Sequence, residues 1–263
     1  MKKYLPQLLL LALLAALALW LALATGANLR ERGIQSGFDF LLQPAGFSLG
    51  EGVFAFEAGD SYLLAFLAGL ANTLRVALPA LLLALAAGAL IGIGRRSANA
   101  LLRLMCAAYV EVFRNLPLLL QLLVWYFLLT DLLPPAEEAV LLAPHVYLSK
   151  AGLALPWWRE GGLDLPGMAA FGVAGGASLT PEFLALCLGL ACYTAAYVAE
   201  TVRAGLQAVP AGQSEAALAL GMSGRQVLRQ VQLPQALPIV LPPLTNQALN
   251  LIKNSSLAEA IGY

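Results

Sequence analysis

Tyr193, Tyr197 and Glu200 recur at i, i+4 and i+7, and Asn246, Asn250 and Lys253 repeat that spacing some fifty residues on. On helices each trio falls on one face. Two such faces on adjacent segments could offer hydroxyls, amides and opposite charges to the carboxylate and ammonium of a small zwitterion. This is binding chemistry rather than bond-breaking chemistry. No nucleophile stands with a base, and the single histidine, His145, has no ligand partners nearby, so neither a catalytic residue nor a metal site is expected. The phosphate-cradling pattern G-x-x-x-x-G-K-[ST] is absent, and "GIGRR" at 92 to 96 lacks both its lysine and its spacing.

The surroundings of these groups say where they work. The chain has 263 residues, 60% of them apolar and 11% charged, with a mean hydropathy of +0.78. That balance belongs to membrane proteins. Fifteen basic residues offset fifteen acidic ones, and no basic tract suggests a nucleic-acid face. Cys106, Cys187 and Cys192 lie inside apolar runs and read as small buried thiols, without a disulfide or metal framework.

A bilayer core of about 30 Å needs roughly 20 apolar residues in a helix. Five stretches meet that length: residues 5 to 24, then spans within 62 to 94, 104 to 130, 180 to 202 and 236 to 256. None alternates with period two as barrel strands would. The first run is longer than a signal peptide's apolar region and is expected to remain as an anchor.

Charge sets orientation. Lys2 and Lys3, then Arg95, Arg96 and Arg103, then Arg203, Arg225 and Arg229 mark cytoplasmic sides, which puts the N-terminus inside. The connections at 25 to 61 and 131 to 179 are acidic, Glu160 among their residues, and belong outside. The second is punctuated by prolines and carries Trp157 and Trp158, which suit headgroup depth.

Polar groups at membrane depth are costly and tend to be pathway groups or structural pairs. Glu200 and Lys253 could instead snorkel or pair with each other, and the asparagines could join helices. Glu111 and Arg114, at i, i+3, read as a local ion pair. Pro117 can kink the third span, with Gln121 one turn beyond presenting its amide inward as a cargo candidate. Arg75 reads as a snorkelling side chain near an outer end.

Between the last two spans lies "SEAALALGMSGRQVLRQVQLP". Helix formers run to Gly221, a helix-stopping residue. Ser223 then starts a second helix with Gln226 as its capping-box partner. Val227, Leu228 and Val231 form its apolar stripe opposite Arg225, Arg229, Gln230 and Gln232, and Pro234 is expected to end it. On amphipathicity alone this reads first as an interfacial linker between two spans.

The spacing of Glu215-Ala216-Ala217, Gly221, Val231 and Leu233-Pro234 resembles the EAA motif of membrane subunits of ABC importers. "YTAAYVAETVRAGLQAVPAGQSEAALALGMS", "LIKNSSLAEAIG" and "EVFRNLPLLLQLLVWYF" are similar to the polar amino-acid branch, the histidine and glutamine type permeases. The leader span and long outer loops resemble the general L-amino-acid permease subunits within it. The resemblance implies an all-α, polytopic type I permease fold. A transmembrane domain would cover 62 to 263, with a cytoplasmic coupling loop at 204 to 235, after an anchor and outer loop at 1 to 61. Glu215, Ala216, Ala217, Gly221, Leu233 and Pro234 would dock on an ATPase subunit.

Such permeases carry a further span after "AEAIGY", so five helices here and one beyond Tyr263 are expected. The resemblance implies a bacterial inner-membrane transport subunit, not an enzyme, without a cofactor. Its partners would be two ATPase subunits, a second permease subunit of the same or another kind, a periplasmic solute-binding protein and an amino-acid cargo. The EAA motif also serves other small solutes. An ion-coupled carrier using Glu200 and Lys253 would instead transport without ATP.

Overall fold

A computed structural model describes residues 4 to 33, 37 to 159 and 161 to 263. Lys2, Lys3 and Glu160 lie outside the described residues. The first seventy residues and the remainder form separate compact units. In the first, helix α1 (Leu5–Glu31) is apolar on every side, as a helix bathed in lipid should be. A loop follows whose ends are closed by Tyr62 N–H to the Gln43 carbonyl at 3.1 Å and Ala45 N–H to the Asp60 carbonyl at 2.8 Å. Phe47 packs against Phe56 and Tyr62 there, at centroid distances of 5.5 and 6.5 Å.

Helix α2 (Tyr62–Gly94) begins in that unit and continues into the second. There it is joined by α3 (Ala100–Asn115), α4 (Leu118–Asp131), α5 (Pro181–Ala208), α6 (Ala211–Ala219), α7 (Gly224–Gln226) and α8 (Leu233–Asn254). Asn99 caps α3, accepting from the N–H groups of Leu101 and Leu102 at 3.0 and 3.2 Å. Thr180 caps α5, accepting from Phe183 N–H at 3.2 Å, with Pro181 in the first turn.

Helix α5 is the centre of the packing. One cluster joins Ala80 and Ala84 of α2, Leu118 and Leu122 of α4, and Leu186, Leu190 and Leu251. A second joins Val198, Val202 and Leu206 to Ala236 and Val240 of α8. In lipid, helices associate through close packing rather than through burial from water, so small residues matter at the contacts. A Cβ on Gly88 would stand 2.5 Å from Val198 Cβ, and one on Gly205 would stand 2.1 Å from Val240 Cγ2.

Among the described residues α1, α2 and α5 are long and apolar enough to cross a membrane, and α3 with α4 makes a fourth candidate as a bent pair. α8 is not among them; prolines 238, 242 and 243 and its amides interrupt its apolar character. The third expected span is not one helix. It breaks at Leu116 and Pro117, and its halves meet at 107°. The proline lacks an N–H, and the residue before it is driven out of helical conformation.

The expectation of an all-α chain is also corrected. Residues 140 to 179 form a four-stranded antiparallel sheet in the order β1 (Val140–Ala143), β2 (Val146–Ser149), β3 (Gly152–Leu155), β8 (Ala177–Leu179). Two hairpins are inserted before the last strand: β4 (Trp157–Arg159) with β5 (Gly162–Asp164), and β6 (Gly167–Ala169) with β7 (Gly172–Ala174). Trp158 pairs across from Leu163, and Trp157 from Asp164. Both tryptophans are exposed. Gly162 and Gly172 begin return strands at φ of 122° and 115°, backbone that β-carbon residues resist. Glycines at ten-residue spacing were the available signal for these hairpins.

Candidate functional site

The polar stretch after α5 builds a rigid corner from local rules. α6 ends at Ala219 with Leu220 as its cap residue, and Gly221 follows at φ 85°. Met222 N–H donates to the Ala217 carbonyl at 3.2 Å and Gly221 N–H to the Leu218 carbonyl at 2.9 Å, which is the paired bonding of a Schellman turn. Ser223 opens the next helix. Its Oγ accepts from Gln226 N–H at 3.4 Å while Gln226 Oε1 accepts from Ser223 N–H at 2.8 Å, closing the capping box the sequence predicts.

Pro234 does not end that second helix. Val227–Gln232 widens into a π-helical turn, in which Leu233 N–H bonds back to the Leu228 carbonyl. The helix then runs on as α8 with Pro234 in its first turn. The wider turn absorbs the missing proline N–H that would break an ordinary helix. The expected pair of short helices is therefore one short helix and the leading end of a long one.

Gln232 Nε2 donates to Ser214 Oγ at 2.8 Å and joins the two arms of the corner. Ala217 and Val227 are buried, and Leu233 is half-buried. Glu215, Ala216, Gly221 and Pro234 remain exposed, as do Leu218 and Leu220, so the short helix presents a mixed apolar and acidic surface. Neither leucine was singled out by the motif.

Beside this corner, Glu200 of α5 is held by arginines rather than by Lys253. Its carboxylate is paired with Arg95 at the end of α2 and with Arg203 on its own helix. Arg203 Nη1 also donates to Gln207 Oε1 at 2.7 Å. Arg96 Nη1 donates to the Leu206 carbonyl at 3.0 Å, one of the free acceptors of the α5 terminus. Charge and hydrogen bonding thus tie α2 to α5 immediately before the corner.

The other polar residues separate into distinct settings. Tyr193 and Tyr197 are half-buried, with hydroxyls 3.2 Å apart. Tyr109 of α3 donates to the Cys192 carbonyl at 2.7 Å, binding the two helices beside them. Gln121 is 4% exposed. Its Nε2 donates at 2.9 Å to both the Phe113 and Leu116 carbonyls, acceptors left open by the break between α3 and α4. Asn246, Asn250 and Lys253 line an exposed stripe of α8, flanking the Ala236, Val240 and Leu251 face that packs inward.

Two local expectations change. Glu111 and Arg114 do not pair: Glu111 Oε2 accepts from Asn115 Nδ2 at 3.4 Å, and the Arg114 guanidinium lies 5.3 Å from the centroid of the Tyr197 ring. Arg75 does not snorkel outward, because its guanidinium lies 4.9 Å from the Phe183 centroid. In both cases the ring face of a neighbouring helix attracts the cation.

Broken and continuous helices thus pack around α5, and a capped corner runs on into α8. The chain belongs to the family of inner-membrane components of binding-protein-dependent transport systems, whose pattern matches residues 80 to 263. It is 38% identical over 317 aligned positions to the general L-amino acid transport system permease protein AapQ of Rhizobium johnstonii, covering 98% of this chain and 79% of that one. With the glutamate/aspartate import permease protein GltJ of Escherichia coli K12 it shares 36% identity over 214 positions, 80% of this chain and 74% of the relative. A solved amino acid ABC transporter with histidines aligns with a TM-score of 0.55 and 30% identity, over 77% of this chain and 74% of the other.

Proposed function

We propose that this chain is a permease subunit of an ATP-driven ABC importer that carries amino acids into the cytoplasm by alternating access. The observation that carries the reading is the corner at 211 to 234: a short helix with an exposed face, fixed by a Schellman turn and capping box, and continuous with α8. Glu215, Ala216, Ala217, Gly221, Leu233 and Pro234 form the handle for an ATPase subunit, with Leu218 and Leu220 adding apolar contact area. The Ser214–Gln232 bond makes both arms move together. A push on α6 is then delivered to α8, and through the tight Gly205–Val240 contact to α5.

Arginines 95, 96, 203, 225 and 229 support a cytoplasmic side for this end, with the N-terminus on the same side and the β-rich segment at 140 to 179 outside, facing a solute-binding protein. Two ATPase subunits and a second permease, identical or different, complete the importer. Residues 62 to 263 serve as its transmembrane domain and 204 to 235 as the coupling loop. Tyr193, Tyr197, Asn246 and Asn250 line the pathway. Gln121, Glu200 and Lys253 adjoin it, with Gln121 and Glu200 fixing helix geometry. The amino-acid cargo follows from likeness to amino-acid permeases, one across 98% of the chain and one across 80% of it.

The test is reconstitution in proteoliposomes with its ATPase and binding protein. ATP-dependent uptake is measured across the L-amino acids. Uptake that persists without the ATPase would sink the importer reading, and uptake confined to sugars or peptides would sink the cargo.

A further inference from the structure

Arg96 lies just past α2, outside the loop at 204 to 235, yet it reaches two residues of that loop. Its Nη1 donates to the Leu206 carbonyl at 3.0 Å, and Gln232 Oε1 stands 3.5 Å from the same nitrogen, at the outer limit of hydrogen bonding. That nitrogen carries two hydrogens, one for each acceptor. The other end of the Gln232 amide is already engaged, with Nε2 donating to Ser214 Oγ at 2.8 Å. Ser214 on α6 and Gln232 in the π-helical turn are both half-buried. One amide thus faces the short helix with its donor and the end of α2 with its acceptor.

Packing follows the same route. Ile93, in the last turn of α2, joins Leu228 and Leu233 of the corner in the cluster around Val202, Leu206 and Val209. A Cβ on Gly92 would stand 2.6 Å from the Ala199 carbonyl oxygen, so no side chain separates α2 from α5 there. The connection from α2 to α3 is short and fixed. Arg103 Nη1 donates to the Ser97 carbonyl at 2.8 Å, and Asn99 N–H donates to Ser97 Oγ at 3.1 Å, just before Asn99 caps α3. A displacement of Arg96 is therefore passed on to the start of α3.

We propose that Arg96 is a positioning residue for coupling, which ties the ATPase handle to α2 and α3 through a polar relay from Ser214 to Gln232 to Arg96. The relay rests on the importer reading and extends it to a residue that lies outside the motif and outside the coupling loop. Helices α5 and α8 are joined to the corner by the chain itself, whereas α2 meets it only through space. With Arg96 holding the Leu206 carbonyl and Gln232, a push on α6 reaches α2 and α3 together with α5 and α8.

The test compares uptake with ATP hydrolysis in the complete importer, reconstituted in proteoliposomes and given tritiated L-glutamine, L-glutamate or L-arginine. The quantity read is amino acid imported per ATP hydrolysed. R96A and Q232L should each lower it at least fivefold, and S214A at least twofold, while hydrolysis continues. R96A combined with Q232L should fall no more than twofold below the lower single variant, because both break one relay. Q232E discriminates: its carboxylate accepts from Arg96 and from the Ser214 hydroxyl, so the ratio should stay within twofold of wild type. A merely structural role would lower thermal midpoint, hydrolysis and uptake together at an unchanged ratio, and that outcome overturns the relay. So does a Q232E ratio as low as that of Q232L, and if R96A fails to assemble, this pair decides. Wild type that imports none of the three probes with ATP overturns the amino-acid importer reading instead.

Discussion

The α5–α8 contact yields a double-substitution experiment whose sign opposes simple helix propensity. Gly205→Ala places a Cβ 2.1 Å from Val240 Cγ2. Valine is held near a single χ1 rotamer in a helix, so it cannot swing clear. Overpacking of this kind costs about 1–3 kcal/mol. Replacing a mid-helix glycine by alanine returns about 0.8–1.0 kcal/mol of helix propensity. The variant should therefore be destabilised by up to about 2 kcal/mol. Val240→Ala removes the obstructing methyls and, between helices in lipid, loses packing alone, about 1 kcal/mol. With both substitutions the clash is gone and the propensity gain remains. The pair should couple favourably by about 1–2 kcal/mol, inside the range for residues in direct contact. Unfolding of the purified permease by SDS, followed by tryptophan fluorescence, measures all four corners of the cycle. Gly205→Ala more stable than wild type, or strictly additive effects, would refute the close contact.

Glu200→Gln leaves Arg95 and Arg203 without their anion. The side chain is 28% exposed, so the loss should fall below that of a fully buried pair, about 1–2 kcal/mol, and adding Arg95→Gln should cost little more in the same unfolding assay. Gln121→Leu removes the donor shared by the Phe113 and Leu116 carbonyls and should cost about 1–3 kcal/mol, read as a lowered thermal midpoint, while Gln121→Asn, too short to span both acceptors, should recover little. Gly221→Val forces a β-branched residue to φ 85°, against about 1–2 kcal/mol of backbone strain. Its membrane insertion should be normal and its ATP-driven uptake absent in proteoliposomes, whereas Gly221→Asn should retain uptake.

The corner at 211 to 234 was legible because it depends on near neighbours. Gly221 and the Ser223 and Gln226 pair act within a few residues, so their spacing carried the Schellman turn and the capping box into the structure unchanged. Pro234 misled for the same reason. A proline normally closes a helix, and only the π-helical turn at Val227–Gln232 lets this one open α8. Pro117 was readable as a disturbance, but its 107° consequence depends on α5 packing against both α3 and α4. The hairpins at 140 to 179 are signalled only by spaced glycines, in a stretch whose prolines and tryptophans equally suit an irregular loop at headgroup depth.

Length, hydropathy and local hydrogen bonding are properties of contiguous residues, so the membrane-embedded character, the apolar runs, the charge asymmetry and the capped corner are all readable along the chain. The partners of the ionisable groups depend instead on how the helices pack. Glu200 met Arg95 from 105 positions away, Arg114 met Tyr197 instead of Glu111, and Gln121 turned back to the open carbonyls of α3. Electrostatic attraction and hydrogen-bond satisfaction in lipid act through space, and they select whichever neighbour the helix packing brings within reach.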